Sequence, residues 1–274
     1  EVEERKIGRK VLAKVLIICI VLILAAGIAA HYFMRRDDKQ KAEAPGNAAE
    51  YDLDNVEVNE ESVLNGKNIL FLGSSVTYGA ASQGVSFVDY IEKMDHVQAT
   101  KEAASGTTLV DSFSFSAFLG FGEGRSYVAR LNRADKSKVY DAVVVQLSTN
   151  DATTGKDLGE ISESFSADDF DTKTITGAIE YIIAYSRDTW NCPVVFYTGA
   201  YFDSEAYSAM ADRLLELQEK WGIGVIDLYH DEELNSIDEE TYNLYMYDEI
   251  HPTKAGYLEW WTPVIESYLC DYLQ

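Results

Sequence analysis

The sequence predicts an α/β domain whose parallel sheet is covered by helices on both faces, preceded by one membrane-spanning helix. Three observations predict it. Short β-branched runs alternate with longer amphipathic stretches over residues 66–274; Gly, Pro or Asp flanks the short runs; and an uncharged apolar segment precedes them all.

The apolar segment comes first. Residues 15–30 carry no charge, and 11–34 is interrupted only by Lys14 and His31. About 20 residues rising about 1.5 Å each cover about 30 Å, the thickness of a hydrocarbon core. A soluble core helix seldom carries apolar residues on every face. Arg5, Lys6, Arg9, Lys10 and Lys14 crowd the amino-terminal side, which the positive-inside tendency places in the cytoplasm, although Arg35 and Arg36 pull against it. A cleaved signal peptide is the other reading, because Gly27, Ala29 and their small neighbours suit a cleavage site. The length of the run and the Arg-Arg pair favour an uncleaved single-pass anchor in the cell membrane, with the remaining chain extracellular; cleavage would make it secreted. The expected organisation is a cytoplasmic stub and anchor at 1–36, a polar linker at 37–65 and a globular domain at 66–274.

Charge divides along the same line. Residues 1–36 hold seven Lys/Arg against three Glu, whereas the rest holds 16 basic and 43 acidic residues, a net −27. Such a surface repels nucleic acid and anionic lipid, so nucleic-acid binding is excluded. With 47% hydrophobic residues the chain is not of disordered composition. Of three cysteines, Cys19 lies in the apolar run; Cys192 and Cys270 are one disulfide or, more simply, two small hydrophobes.

Within the domain, 68–72, 142–147, 194–197 and 225–228 read as strands buried on both faces, with a weaker one near 97–101. Residues 86–93, 124–133, 172–189 and 204–221 carry helical spacing. Ile175, Ile179, Ile182 and Ile183 share a face, Asp203 or Ser204 caps the last of these helices, and Gly222 and Gly224 end it. A final amphipathic helix spans 253–273, kinked or restarted at Pro263. The polar stretch 152–171 is expected to overhang the site as a substrate-facing lid or a mobile loop.

In such sheets ligands bind beyond the carboxyl ends of the strands, and four strings fall there. Gly73-Ser74-Ser75-Val76-Thr77-Tyr78-Gly79 follows the first strand, where a serine nucleophile needs a sharp strand-to-helix turn. It lacks the Gly-Lys-Ser/Thr of a phosphate loop. Ala104-Ser105-Gly106-Thr107 offers the Gly106 N–H as a donor. Ser148-Thr149-Asn150-Asp151 offers the Asn150 amide. Asp248-Glu249-Ile250-His251-Pro252 places a carboxylate three residues before an imidazole, which fixes its tautomer for proton abstraction. Of the other histidines, His31 abuts the apolar run, and His96 and His230 read as lacking such a partner and turn. Each string alone is ordinary loop chemistry; the order Ser, Gly, Asn, Asp-x-x-His on successive strand ends is not.

That order, with these strings, resembles the SGNH/GDSL hydrolases, from about Lys67 onward. The resemblance implies a three-layer α/β/α sandwich on a five-stranded parallel sheet, flavodoxin-like in architecture, and a serine esterase. It implies Ser75 as nucleophile, His251 as base, Asp248 as its acid, and an oxyanion hole of the Ser75 N–H, the Gly106 N–H and the Asn150 side chain. No metal or organic cofactor is implied. The chain departs from the usual Gly-Asp-Ser with Gly73-Ser74-Ser75, which leaves Ser74 as a second candidate hydroxyl, and from Gly-x-Asn-Asp with Ser148.

The expected partners are thus an ester substrate and, through the apolar helix, a membrane. Acetylated extracellular glycans, lipids and short-chain esters all suit that chemistry and place. An O-acyltransferase and a non-catalytic glycan-binding module are the rivals. The sequence leaves oligomeric state open.

Overall fold

Five short strands form the sheet: β1 (Asn68–Gly73), β2 (Gln98–Ala103), β3 (Ala142–Gln146), β4 (Val194–Tyr197) and β5 (Gly224–Ile226). The computed structural model describes residues 2–111 and 125–274, with backbone only at 2–13, 15, 17 and 34. The strands run in the order β2-β1-β3-β4-β5, every pairing parallel, with Gly73 opposite Ala103 and Leu72 opposite Val145. Alternate side chains leave opposite faces. Leu70, Leu72, Val143, Val145 and Phe196 pack against Ile179, Ile183 and Leu214 on one side. Ile69, Phe71, Val144 and Tyr197 pack against Phe87, Ile91, Trp261 and Ile265 on the other. This is the expected three-layer sandwich. Edge strand β2, Gln-Ala-Thr-Lys-Glu-Ala, has no fully buried residue, which is why its apolar signal is weak.

The predicted helices form with local caps. After a four-residue turn, α2 (Ser75–Tyr78), helix α3 (Phe87–Asp95) starts on a capping box of Ser86 and Asp89. Helix α4 (Tyr127–Leu131) is capped by Ser126; the expected start of this helix at Gly124 lies outside the described residues. Next come α5 (Thr149–Thr153), α6 (Ile175–Trp190) capped by Thr174, and α7 (Glu205–Trp221) capped by Ser204 rather than Asp203 and closed by left-handed Gly222. Two short helices, α8 (Glu232–Asn235) and α9 (Glu239–Tyr245), lack the length to show a period in the sequence. The last element is α10 (Thr262–Tyr272), preceded by a π-helical turn at Gly256–Trp261. Pro263, with no N–H to donate, falls at the start of α10, so the chain restarts there.

The chain divides into two units, one ending at Glu43 and the other Ala44–Gln274. The first is a single helix, α1 (Val2–Ala42). Its Ile18–Ala42 part contains an 18-residue stretch of mean hydropathy 1.9 and is long and apolar enough to cross a membrane, a criterion that a signal sequence also meets. The helix runs past the apolar stretch, where Asp37–Lys41 and Lys39–Glu43 pair at i,i+4.

The rest of the polar stretch read as a linker is not a free tether. Three 3₁₀ turns at Pro45–Asn47, Ala49–Tyr51 and Leu53–Asn55 belong to the second unit. The buried Asn47 amide donates to the Ala81 carbonyl (2.7 Å) and accepts the Lys254 N–H (2.8 Å). Tyr90 Oη donates to the Tyr51 carbonyl (2.6 Å), and Leu64 is buried. A Cβ on Gly46 would stand 2.0 Å from the Leu244 carbonyl oxygen, so the approach requires glycine. Such single anchors have no period for a sequence reading to detect. Cys192 and Cys270 are free thiols packed in the cores on opposite faces of the sheet.

One carboxyl pair makes stability depend on pH. Asp95 is fully buried, and burial together with its charge pushes the Glu266 carboxyl on α10 up to about 7. A carboxyl raised in the folded state binds a proton that the unfolded chain has already released. Stability is therefore expected to fall as pH rises from about 4.5 through about 7. With solvent screening of the half-exposed side chain the loss is on the order of 1 kcal/mol, or about 2–4 °C in Tm. Glu266→Gln should flatten that slope in thermal melts; an unchanged slope would assign it elsewhere.

Candidate active site

All four strings lie beyond the carboxyl ends of strands. Gly73 closes β1, and a Cβ there would meet Thr77 Oγ1 at 1.6 Å and Gln146 Oε1 at 2.9 Å, so the turn into α2 requires glycine. Ser74 and Ser75 then diverge. Ser74 is wholly buried, and its hydroxyl donates to Gln146 Oε1 (3.2 Å). Ser75, 7% exposed, opens α2 with its Oγ 2.8 Å from His251 Nε2.

His251 sits in a turn closed by a bridge between Met246 and Pro252 and by the Tyr247 N–H donating to the His251 carbonyl (2.9 Å). Both Asp248 oxygens lie 2.9 Å from His251 Nδ1, and Oδ1 also accepts the N–H groups of Ile250 (2.9 Å) and His251 (2.8 Å). Burial opposes ionisation of Asp248. The hydrogen bond and charge of His251, with those two N–H groups, nevertheless hold its carboxyl below the usual range. A carboxylate at Nδ1 keeps the proton there and leaves the Nε2 lone pair for the Ser75 hydroxyl. The arrangement can draw the serine proton and steady the resulting imidazolium.

Gly106 is exposed and left-handed (φ +73°), in a turn that follows β2. Asn150, in the first turn of α5, donates from Nδ2 to the Thr107 carbonyl (3.0 Å), so these two predicted donors belong to one hydrogen-bonded unit. Asp151 is fully buried and accepts the N–H groups of Leu109 (2.8 Å) and Val110 (3.3 Å). Burial pushes its carboxyl up to about 6 against the lowering effect of those bonds.

Gln146 joins the site without belonging to any of the four strings. Its Oε1 accepts from Ser74 N (2.9 Å), Thr77 N (3.3 Å) and Thr77 Oγ1 (2.8 Å), tying the serine turn to the end of β3. The one available signal is a glutamine closing the otherwise apolar strand Ala-Val-Val-Val-Gln.

Two expectations are corrected. His230 has a partner: Asp227, also three residues earlier, lies 2.7 Å from Nδ1. The difference from His251 is at Nε2, which at His230 faces the Asp212 carboxylate (3.5 Å) instead of a hydroxyl. The later part of the 152–171 stretch is fastened down and does not hang over the site. Arg213 holds the Gly159 carbonyl (2.6 Å), while Lys220 pairs with Glu180 and holds the Ser164 carbonyl (2.7 Å). Phe165 and Phe170 lie against Trp221, at the end of α7 that leads into the start of β5, away from the strand ends where Ser75 lies.

Beyond β4 and β5 a separate pocket of about 470 Å³ is lined by Tyr201, Tyr229 and His230 with the carboxylates of Asp203, Glu205 and Glu232.

The profile of the GDSL-like Lipase/Acylhydrolase family matches residues 71–258, a range that includes Ser75, Gly106, Asn150, Asp248 and His251. No curated protein matches the chain significantly. Among solved structures, a protein from Lactobacillus plantarum is similar in fold (TM-score 0.58, 18% identity), covering 76% of this chain and 97% of its own. A GDSL-like lipase candidate from Bacteroides ovatus has a TM-score of 0.55 at 17% identity, covering 76% and 99%. A member of the lipolytic protein G-D-S-L family from Veillonella parvula has 0.51 at 14%, covering 75% and 97%. At these identities the structures speak for the fold, and the profile speaks for the family. The chain therefore belongs to the GDSL-like lipase/acylhydrolase family, a family of serine esterases.

Proposed function

We propose that the protein is a membrane-anchored, extracytoplasmic ester hydrolase that removes O-acetyl groups from glycans through an acyl-enzyme on Ser75. The observation that carries the chemistry is the 2.8 Å contact of Ser75 Oγ with His251 Nε2, backed by Asp248. His251 takes the hydroxyl proton as Ser75 Oγ attacks the ester carbonyl. Charge develops on the carbonyl oxygen and is met by the N–H groups of Ser75 and Gly106 and by Asn150. One Asn150 amide hydrogen is held by the Thr107 carbonyl, which leaves the second to donate. His251 returns the proton to the leaving alcohol, then draws one from water, whose oxygen attacks the acyl carbonyl and frees the acid and Ser75.

The glycan reading draws support from the pocket beyond β4 and β5. Its tyrosines, histidine and carboxylates suit hydroxyl-rich groups and oppose a fatty-acyl chain or anionic headgroup. Neighbouring strands are about 4.8 Å apart, so β4 lies about 10 Å from β1, within reach of a sugar beside the esterified one. The anchor reading rests on the uncharged run in α1.

The full chain in detergent should release acetate from an acetylated polysaccharide and turn over acetyl esters at least about ten-fold faster than long-chain esters. Preference for long chains would replace the glycan by a lipid substrate. Transfer of the acetyl group to a sugar in place of water would make the protein an acyltransferase. Recovery of the full chain in the soluble cell fraction would remove the anchor and leave the chemistry standing.

A further inference from the structure

The geometry points to Arg130 as a positioning residue that fixes the spacing between the Ser75 and Gly106 donors of the oxyanion site. This role rests on the ester-hydrolase reading above. Arg130 projects from α4 and is 7% exposed. Its Nη2 donates to the Gly73 carbonyl (2.7 Å) and to Thr107 Oγ1 (3.1 Å), its Nη1 to the Glu102 carbonyl, and its Nε to the Arg125 carbonyl (3.0 Å). Gly73 stands two residues before Ser75, and Thr107 directly follows Gly106. One planar group therefore grips both segments that carry the backbone donors.

Among the described residues, few other hydrogen bonds join them. The ladder between β1 and β2 runs out at the Ala104 N–H, which donates to the Gly73 carbonyl (3.2 Å). Beyond it the Gly106 turn is closed within itself by the Thr107 hydroxyl donating to the Ala104 carbonyl (2.6 Å), and is held from outside at the Thr107 carbonyl by Asn150 and by Ser148 Oγ (3.3 Å), and at the Thr107 hydroxyl by Arg130. Asn150 and Ser148 tie the turn to the β3 side; Arg130 ties it to β1. A backbone donor acts on an oxyanion only when held near 3 Å from it, and two donors on separate segments need a fixed span. A guanidinium can serve these divergent acceptors because its five N–H groups lie in a rigid plane, whereas a lysine ammonium is a single flexible point. The Tyr127 ring, 5.1 Å from Cζ, covers the guanidinium. Burying a cation among carbonyls is a poor source of net stability, so its clearest consequence is fixed geometry.

The test compares full-length wild type with Arg130→Lys and Thr107→Val, the second removing the hydroxyl that accepts from Arg130 and donates to the Ala104 carbonyl (2.6 Å). The substrates are an acetyl ester and its thiono analogue, in which a long C=S bond and a weak acceptor fit the donors poorly. Arg130→Lys is expected to lose about 10²-fold in kcat with KM within about three-fold, and the oxygen-to-sulphur rate ratio should fall about ten-fold. Thr107→Val should lower the same ratio by a smaller factor. A folded Arg130→Lys with unchanged kcat, or a loss shared equally by both substrates, overturns the assignment. If Arg130→Lys does not fold, an unchanged ratio in Thr107→Val overturns it. A wild-type protein with no esterase activity would instead remove the ester-hydrolase reading on which the role depends.

Discussion

Ser75→Ala is expected to lower kcat for an acetyl ester by about 10⁴–10⁶-fold, leaving only what binding and the oxyanion donors supply. The neighbouring Ser74→Ala should stay within about ten-fold of wild type. The contrast follows from where the two hydroxyls point. Ser74 Oγ is sealed from solvent and spends its proton on Gln146, whereas Ser75 Oγ meets a nitrogen that can accept one. Losing the Ser74 hydroxyl leaves Gln146 Oε1 with its bonds to Ser74 N and Thr77 and costs about 1 kcal/mol of stability. Steady-state kinetics and labelling by a fluorophosphonate read both variants. Labelling that survived Ser75→Ala and disappeared in Ser74→Ala would move the nucleophile by one residue.

The second large effect is expected at Asp248→Asn, a kcat loss of about 10²–10⁴-fold with the fold intact. An asparagine amide can turn its N–H₂ toward Nδ1 and force the imidazole proton onto Nε2, where it cannot accept from Ser75. Partial exposure of Asp248 lets water restore some of the correct tautomer, so the lower end of that range is expected. The carboxyl is held below its ordinary range in the folded protein. Its contribution to stability is therefore present above the unfolded carboxyl pKa and lost as pH falls through the folded one. Wild type should be the more stable protein at pH 6–7, and melts of the two should converge as the pH drops below about 4. A variant of full activity would show that His251 needs no carboxylate to orient it.

The two Asp-x-x-His turns show how far residue spacing reaches. An i,i+3 spacing in a tight turn is enough to put a carboxylate on Nδ1, and it does so at both His251 and His230. What distinguishes the two histidines is the group at Nε2. At His251 that group arrives from 176 residues away in the chain, and at His230 it is another carboxylate. The same limit governs Gln146 and Arg130. Each stood in the sequence as a strand or helix residue; each bonds to loops 57 to 72 residues distant.

The sequence by itself determined the sheet, the helices that cover it and the local half of the site. Strands β1, β3 and β4 are legible because burial on both faces demands continuous apolar runs, and Ser204 marks a helix start because a cap bonds within its own first turn. The Asp248–His251 contact is legible for the same reason of short range. The tertiary structure alone decided which serine meets the imidazole, that residues 44–65 pack on the domain, and that the later part of 152–171 is fastened to α6 and α7. These depend on single polar or apolar contacts between segments far apart in the chain, and such contacts leave no period in either segment.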